Sequence, residues 1–358
     1  METDSSSFPR GLHSRVFSVF ARYRVVRPNG SLATIFVLLR VFYSGGMMQQ
    51  RRVGDLSVSA VGLGCMPLSN GRMVDLREQA LQTVHAALDQ GVTLLDTANI
   101  YAPSWDAIGH NEALVAEALR TYTGHAPLTD VLVTTKGGIT RSPGEEWGRD
   151  SSPQALRRAC EDSLRALDVS CIDLYQHHRH DPAMTYIDQL RALQLLKDEG
   201  LVRRIGLSNV TEAELDLAIG ELGSASHGGV VSVQNELSPR YRADLDVLAR
   251  CEREGIAFLP WSPLGGATHA KDVGSRFAAF ADVADDVGAT PQEVTLAWLL
   301  RMSPVMIPIP GATRPETVTS IVRSMTLELS DDQFATLQAT TPEHTSMYPE
   351  DQPRSPLR

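Results

Sequence analysis

Eight short apolar runs, most of them turning polar at the C-terminal end and followed by a helical pattern, leave this chain few ways to fold. They are Val61–Met66, Val92–Asp96, Val131–Lys136, Ile172–His178, Arg203–Asn209, Val230–Glu236, Ile256–Ser262 and Val305–Pro308. Between them, apolar residues recur at helical spacing: Ala80, Val84, Ala87 and Leu88 within Arg77–Asp89, and Leu114, Val115, Ala118 and Leu119 within His110–Thr121. Ser152-Pro153 opens a helix to about Leu167 with a capping serine and a proline at the first position. Thr211-x-x-Glu214 reads as a capping box for another. Such alternation calls for a parallel sheet covered by helices. No GxGxxG follows the first run, which argues against a doubly wound dinucleotide-binding sheet. The expected fold class is α/β, a (β/α)8 TIM barrel. A small hairpin at Val53–Ser59, turning at Gly54-Asp55, is expected at the barrel's bottom.

At 358 residues, with 42% hydrophobic and 21% charged residues, the chain can bury a large core. We divide it into an N-terminal extension (1–46), the barrel (47–345) and a C-terminal tail (346–358). The extension holds six Arg and no Lys against Glu2 and Asp4. Its apolar run Leu32–Leu39 stops at Arg40, too short to span a bilayer, and Ser44-Gly45-Gly46 only loosely resembles a cleavage site. A poorly ordered extension is the expectation, with a targeting leader and a structural or partner-binding element as the alternatives. The net charge of -10 argues against nucleic acid, whose phosphates call for a basic face. Nothing reads as a membrane span. Four cysteines, Cys65, Cys160, Cys171 and Cys251, form no CxxC and no zinc spacing, as expected of reduced thiols in a cytoplasmic protein.

In a barrel, the C-terminal ends of the strands share one mouth, where chemistry is placed. Read there, the runs supply Asp96, Tyr101, Lys136, His178, Ser208, Asn209, Gln234 and Trp261. No metal set stands out, and no Ser or Cys sits in a nucleophile elbow. A Tyr, Lys, Asp and His together suit carbonyl reduction. Charge develops on the carbonyl oxygen and needs a proton donor. A tyrosine, with a pKa of about 10, is expected to be made a better acid by an adjacent ammonium. A carboxylate would keep that lysine charged, and a histidine could orient the carbonyl. Trp105 and Trp147 lie in mouth loops, as pocket walls or as exposed-loop packing, and Arg179 reads first as a surface ion pair, with steering of an anion as its alternative.

From about Val53 to Met325 the chain resembles the aldo-keto reductases. The resemblance rests on Val61–Met66, Leu95–Tyr101, Thr134–Gly137, Ile172–His178, Ile205–Asn209, Val233–Glu236, Trp261–Leu264 and Ile309–Ala312, in the family's order. It implies a catalytic tetrad of Asp96, Tyr101, Lys136 and His178, with Tyr101 as general acid/base. The family's histidine lies five residues after the Asp of Ile-Asp-Leu-Tyr, which selects His178 over His177. The resemblance further implies that Ser208, Asn209 and Gln234 bind the nicotinamide carboxamide and that Trp261 stacks on the ring. Ser262, Pro263, Leu264 and Gly265 would meet the diphosphate, and Arg314 would lie near the adenosine 2′-phosphate. Gly64, Cys65, Met66, Pro310, Gly311 and Ala312 complete the implied cofactor set. Where family members often carry Glu-Asn against adenine, this chain has Ser320 and Ile321. Arg314 argues for NADP(H), because guanidinium recognises phosphate bidentately, with NAD(H) left open by the missing adenine contacts. The implied function is an oxidoreductase passing hydride between NADP(H) and a small aldehyde, ketone or alcohol. Rival readings are an NAD(P)-dependent alcohol or sugar dehydrogenase on the same fold, and a cofactor-binding redox-sensing subunit. The sequence leaves the substrate and oligomeric state open.

Overall fold

The computed structural model describes residues 15–26, 32–43 and 48–348. Ser44–Gly46 and residues 349–358 of the C-terminal tail lie outside the described residues. The chain divides into two units, Met1–Met48 and Gln49–Arg358. In the first, β1 (Arg15–Val26) pairs antiparallel with β2 (Leu32–Tyr43), from Arg15 opposite Tyr43 to Val26 opposite Leu32.

The second unit opens with the antiparallel hairpin β3 (Gln50–Val53) and β4 (Leu56–Ser59), with Gly54 at φ +59 in its turn, a backbone conformation glycine adopts without strain. Seven parallel strands follow: β5 (Leu63–Gly64), β6 (Leu94–Asp96), β7 (Leu132–Gly137), β10 (Leu174–His177), β11 (Ile205–Ser208), β12 (Val230–Gln234) and β13 (Ala257–Phe258), side by side in that order. An eighth extended segment, 305–311, closes the ring. Phe258 and Ile307 exchange backbone bonds with it and with β13. On the other side, the N–H groups of Gly62 and Gly64 donate to the carbonyls of Pro308 and Pro310 at 2.9 and 3.0 Å. Only isolated bridges, Phe258 to Met306 and Gly64 to Gly311, mark this strand, because its two prolines have no N–H to give a ladder.

Strand alternation turns Leu94, Leu132, Leu174, Ala257, Leu259, Ile307 and Ile309 into the barrel, where Val53 and Val58 of the hairpin pack against them. The hairpin therefore plugs the ring as anticipated, and burying these aliphatic side chains contributes about 1.5–3 kcal/mol each. The helices lie where the periodicity puts them. Ser152 caps Pro153–Leu167 by accepting from the N–H of Ala155 at 3.3 Å. Thr211 and Glu214 form a complete capping box, as do Thr290 with Glu293.

Two segments depart from the sequence reading. The polar loop 137–152 contains a second hairpin, β8 (Ile139–Ser142) with β9 (Glu146–Arg149), register Ile139 opposite Arg149. Its strands are four residues long and lack an apolar alternation, so no periodicity announced them. The C-terminal stretch 343–348, which carries no helix or strand pattern in the sequence, is fastened at the barrel mouth.

Candidate active site

The strand ends converge on a cavity of about 1030 Å³ lined by Asp96, Tyr101, His178, Ser208, Asn209, Gln234 and Trp261, among others. Asp96 ends β6 and Lys136 lies one residue from the end of β7, both buried. The two strands are neighbours, so the side chains meet without any loop to arrange them. Lys136 Nζ donates to Asp96 Oδ2 at 2.8 Å, to the carbonyl of Thr97 at 2.8 Å and to Tyr101 Oη at 3.2 Å. An ammonium has three N–H donors, and all three are used. Asp96 Oδ1 in turn accepts from Gln234 Nε2 at 2.8 Å. Burial works against the Lys136 charge, but Asp96 and Tyr101 together outweigh it and its pKa is raised.

Tyr101 corrects one expectation. Burial raises its pKa more than Lys136 lowers it, so the net shift is upward. The ammonium offsets desolvation rather than making the phenol acidic in absolute terms. Because Tyr101 Oη accepts from Lys136, its own proton is left to point elsewhere, and the ring faces the cavity.

His178 lies one residue beyond β10, its ring 6.0 Å from that of Tyr101 and near-perpendicular to it. Burial, then the charges of Lys136 and Arg179, hold its pKa well below the usual histidine range, so the imidazole is neutral. Its Nδ1 is buried without a partner. His177 points to the opposite face, where its Nε2 lies 2.9 Å from Ser151 Oγ and its ring packs against Tyr186.

The residues implied for cofactor binding divide. Gly64, Met66, Ser208, Asn209, Gln234, Trp261, Ser262, Pro263, Leu264, Pro310 and Gly311 line the cavity. Ser208 Oγ donates to the carbonyl of Gln234 at 2.9 Å, Asn209 Nδ2 to Ser208 Oγ at 2.9 Å, and Trp261 Nε1 to Asn209 Oδ1 at 3.1 Å. Ser262, Gly265 and Gly266 all have positive φ, at +47°, +80° and +81°, the backbone geometry that gathers N–H groups into an anion-binding concavity. Cys65, Gly265, Ala312 and Arg314 are not part of the cavity lining. Cys65 is fully buried, its N–H donating to Asp96 O and its thiol turned to Leu63 O. Ala312 is buried. Arg314 is exposed before the helix Pro315–Arg323, its Nε 3.4 Å from Thr317 Oγ1. Ile321, at one of the two departure positions, is buried.

Some site residues were missed. Gln176 shares its inward face with His178 through the period of two along a strand. Its Nε2 donates to Thr134 Oγ1 at 2.7 Å and reaches Asp96 Oδ1 at 3.5 Å, and that alternation could have found it. Glu236, two residues after Gln234, is a buried carboxylate. It accepts from Ser346 Oγ at 2.7 Å and from the N–H of Met347 at 3.1 Å. This clasp holds Tyr348 in the cavity lining, 5.6 Å from Trp261. Arg141 and Arg149 reach the lining from the β8–β9 hairpin. Trp147 lines the cavity and is 59% exposed, whereas Trp105 is exposed outside the lining. Among the described residues no cluster of His, Cys, Asp or Glu could hold a metal, and no helix is long and apolar enough to cross a membrane.

Comparison with known proteins accounts for this arrangement. The model of the aldo/keto reductase family matches residues 60–341. An uncharacterized oxidoreductase of Schizosaccharomyces pombe is 34% identical over 289 residues, 80% of this chain and 88% of its own. Pyridoxine 4-dehydrogenase of Escherichia coli is 32% identical over 301 residues, 81% of this chain and 98% of its own. A Klebsiella pneumoniae aldo/keto reductase crystallised with NADP and acetate superposes with a TM-score of 0.69 at 25% identity, covering 84% of this chain and 98% of that one. The barrel, the buried Asp–Lys pair and the match along most of the chain have one reading: this protein belongs to the aldo/keto reductase family.

Proposed function

We propose that the chain is an NADP(H)-dependent oxidoreductase that interconverts an aldehyde or ketone with its alcohol, Tyr101 serving as general acid/base. The observation that carries the reading is the Lys136 ammonium, held by Asp96 and donating to Tyr101 Oη at the wall of a cavity large enough for cofactor and substrate together. The polar groups of Ser208, Asn209 and Gln234, the positive-φ turn at Ser262–Gly266 and the indole of Trp261 fit a dinucleotide laid across the mouth. NADP and NADPH are the cofactors named for the Klebsiella pneumoniae structures. Bound NADPH supplies hydride to the carbonyl carbon. Tyr101, kept protonated by its raised pKa, hydrogen-bonds the carbonyl oxygen and gives up its proton as charge develops there. Lys136 stabilises the phenolate left behind, and Asp96 keeps the ammonium in place. Neutral His178 donates a second hydrogen bond to the same oxygen and fixes its orientation. Arg314 pairs with the 2′-phosphate of the cofactor. The unpaired cysteines suit a cytoplasmic setting.

Tyr101→Phe tests the reading. It keeps the ring and removes the proton, so turnover should fall by roughly 10²–10⁴ while NADPH binding, read by fluorescence titration, stays near that of the parent. Near-normal turnover removes Tyr101 from the chemistry. For Arg314→Ala, the Kd for NADPH should rise by roughly tenfold or more, the scale of a charge-assisted contact, with little change for NADH. Equal losses would argue against a 2′-phosphate contact.

A further inference from the structure

We propose that Gln176 and Gln234 are positioning residues for proton transfer: their amides pin the Asp96 carboxylate and so hold the Lys136 ammonium against Tyr101. This rests on the reading of Tyr101 as the acid/base. For Gln234 it is a duty beyond any contact with the nicotinamide carboxamide.

Asp96 Oδ2 accepts from Lys136 Nζ, and both amides converge on Oδ1, Gln234 Nε2 at 2.8 Å and Gln176 Nε2 at 3.5 Å. Asp96 ends β6, Gln176 stands on β10 and Gln234 ends β12. Strands β7, β10 and β11 separate β6 from β12, so the shorter bond crosses the lumen and no sheet pairing dictates it. The Gln176 nitrogen also donates to Thr134 Oγ1 at 2.7 Å, and Thr134 lies opposite Asp96 in the register. Room for Gln176 comes from Gly206, its partner on β11. A Cβ there would stand 2.9 Å from Gln176 Cγ.

Stability does not account for the pair. One step down the same inward face, the lumen is filled by Leu94, Leu132 and Leu174. Gln176 continues that face with an amide whose Oε1 is buried without a partner, which costs stability. What the amides supply is direction. The terminal torsion of an aspartate is soft, and donors on Oδ1 fix its plane with Oδ2 toward Lys136. Lys136 donates to Asp96 and to the carbonyl of Thr97, both at 2.8 Å, and its third N–H reaches Tyr101 Oη at 3.2 Å. That longest contact is the first to loosen if the carboxylate turns. Lys136, Asp96, His178 and Tyr348 surround the phenol. Lys136 lowers its pKa, whereas burial, Asp96 and Tyr348 raise it. A loosened contact therefore makes Tyr101 a weaker acid.

Two measurements on the full chain test this. Crystal structures of Gln176→Leu and Gln234→Leu, without cofactor, should show the Lys136 Nζ to Tyr101 Oη contact lengthened past hydrogen-bonding reach. An intact contact in both overturns the proposal, whatever the rates. The second is the pH dependence of kcat for oxidation of 4-nitrobenzyl alcohol at saturating NADP⁺, where Tyr101 must be ionised to accept the proton. The rising limb should move to higher pH by about one unit in Gln234→Leu and by less in Gln176→Leu. Gln176 is outside the cavity lining, so Gln176→Leu should leave the Kd for NADPH unchanged. In Gln176→Glu the new carboxyl can donate to Asp96 only while protonated, so its rate should match the parent in acid and fall behind as pH rises. A lengthened contact with an unmoved limb, or with normal turnover in Tyr101→Phe, would uphold the positioning and defeat the Tyr101 reading. A moved limb with the contact intact would do the reverse.

Discussion

The two faces of the barrel wall put similar groups to opposite uses. On β7, Lys136 turns inward and its neighbour Thr135 outward. Inside, the buried Asp96 carboxylate has an ammonium 2.8 Å away. Outside, the equally buried Glu112 has the Thr135 hydroxyl, 2.5 Å from its Oε1, and burial pushes its pKa up to about 7. The end of β10 repeats the contrast. His178 faces the cavity, while His177 is packed against Ser151 and Tyr186 on the other side, and burial lowers its pKa to about 4. Depth alone does not make a functional site in this wall. What separates the faces is a charged partner inside and open space for a ligand.

The comparison breaks most violently at Lys136. In Lys136→Met the Asp96 carboxylate is left buried without its cation, which should cost about 3–5 kcal/mol of stability and reduce turnover by orders of magnitude. Denaturant melts and steady-state rates read both, and intact turnover would dissolve the distinction between the faces. Next comes the histidine pair. His178→Gln should lower turnover by roughly 10²-fold, whereas His177→Gln should leave the rate near that of the parent and lose about 1 kcal/mol with the Ser151 contact. Equal rate effects would show that both faces serve the chemistry. The last change, read in stability and not in turnover, is at Glu112, whose folded pKa of about 7 stands above its ordinary 4.5. Between those values the folded protein holds a proton that the unfolded chain has released, so this contribution is full below about 4.5 and lost as pH rises through about 7. It is worth up to roughly 3 kcal/mol. Glu112→Gln should flatten the pH dependence of stability between pH 5 and 8, and an unchanged slope would place Glu112 outside the titration.

Much of this was legible in the sequence because it is local or periodic. Ser152-Pro153 and Thr211-x-x-Glu214 announce helix starts by their own chemistry, and the apolar runs carry their polar ends with them, which puts Asp96, Lys136 and His178 at one mouth. The β8–β9 hairpin escaped because its alternation is polar and its strands short. The clasp of Glu236 on Ser346 and Met347 escaped for a different reason: it joins residues 110 apart, and no local pattern records such a meeting. The acidity of Tyr101 was misjudged because the sequence shows the lysine but not the depth of burial that opposes it.

The ring also has a seam. At its closing segment, Pro308 and Pro310 accept from Gly62 and Gly64 but have no N–H to return, so β5 and the eighth strand share a thinner ladder than a pair without prolines would. A barrel fastened this way has a zip, and the zip runs beside Gly64 and Gly311, at the rim where the cofactor is proposed to lie. A dinucleotide spanning that rim would act as a stitch, making the cofactor a structural member of the barrel as well as a reactant. In hydrogen exchange, the amides of Gly62 and Gly64 should open first among the barrel strands and slow most when NADP⁺ is added. Uniform slowing around the ring would show that the barrel has no such weak line.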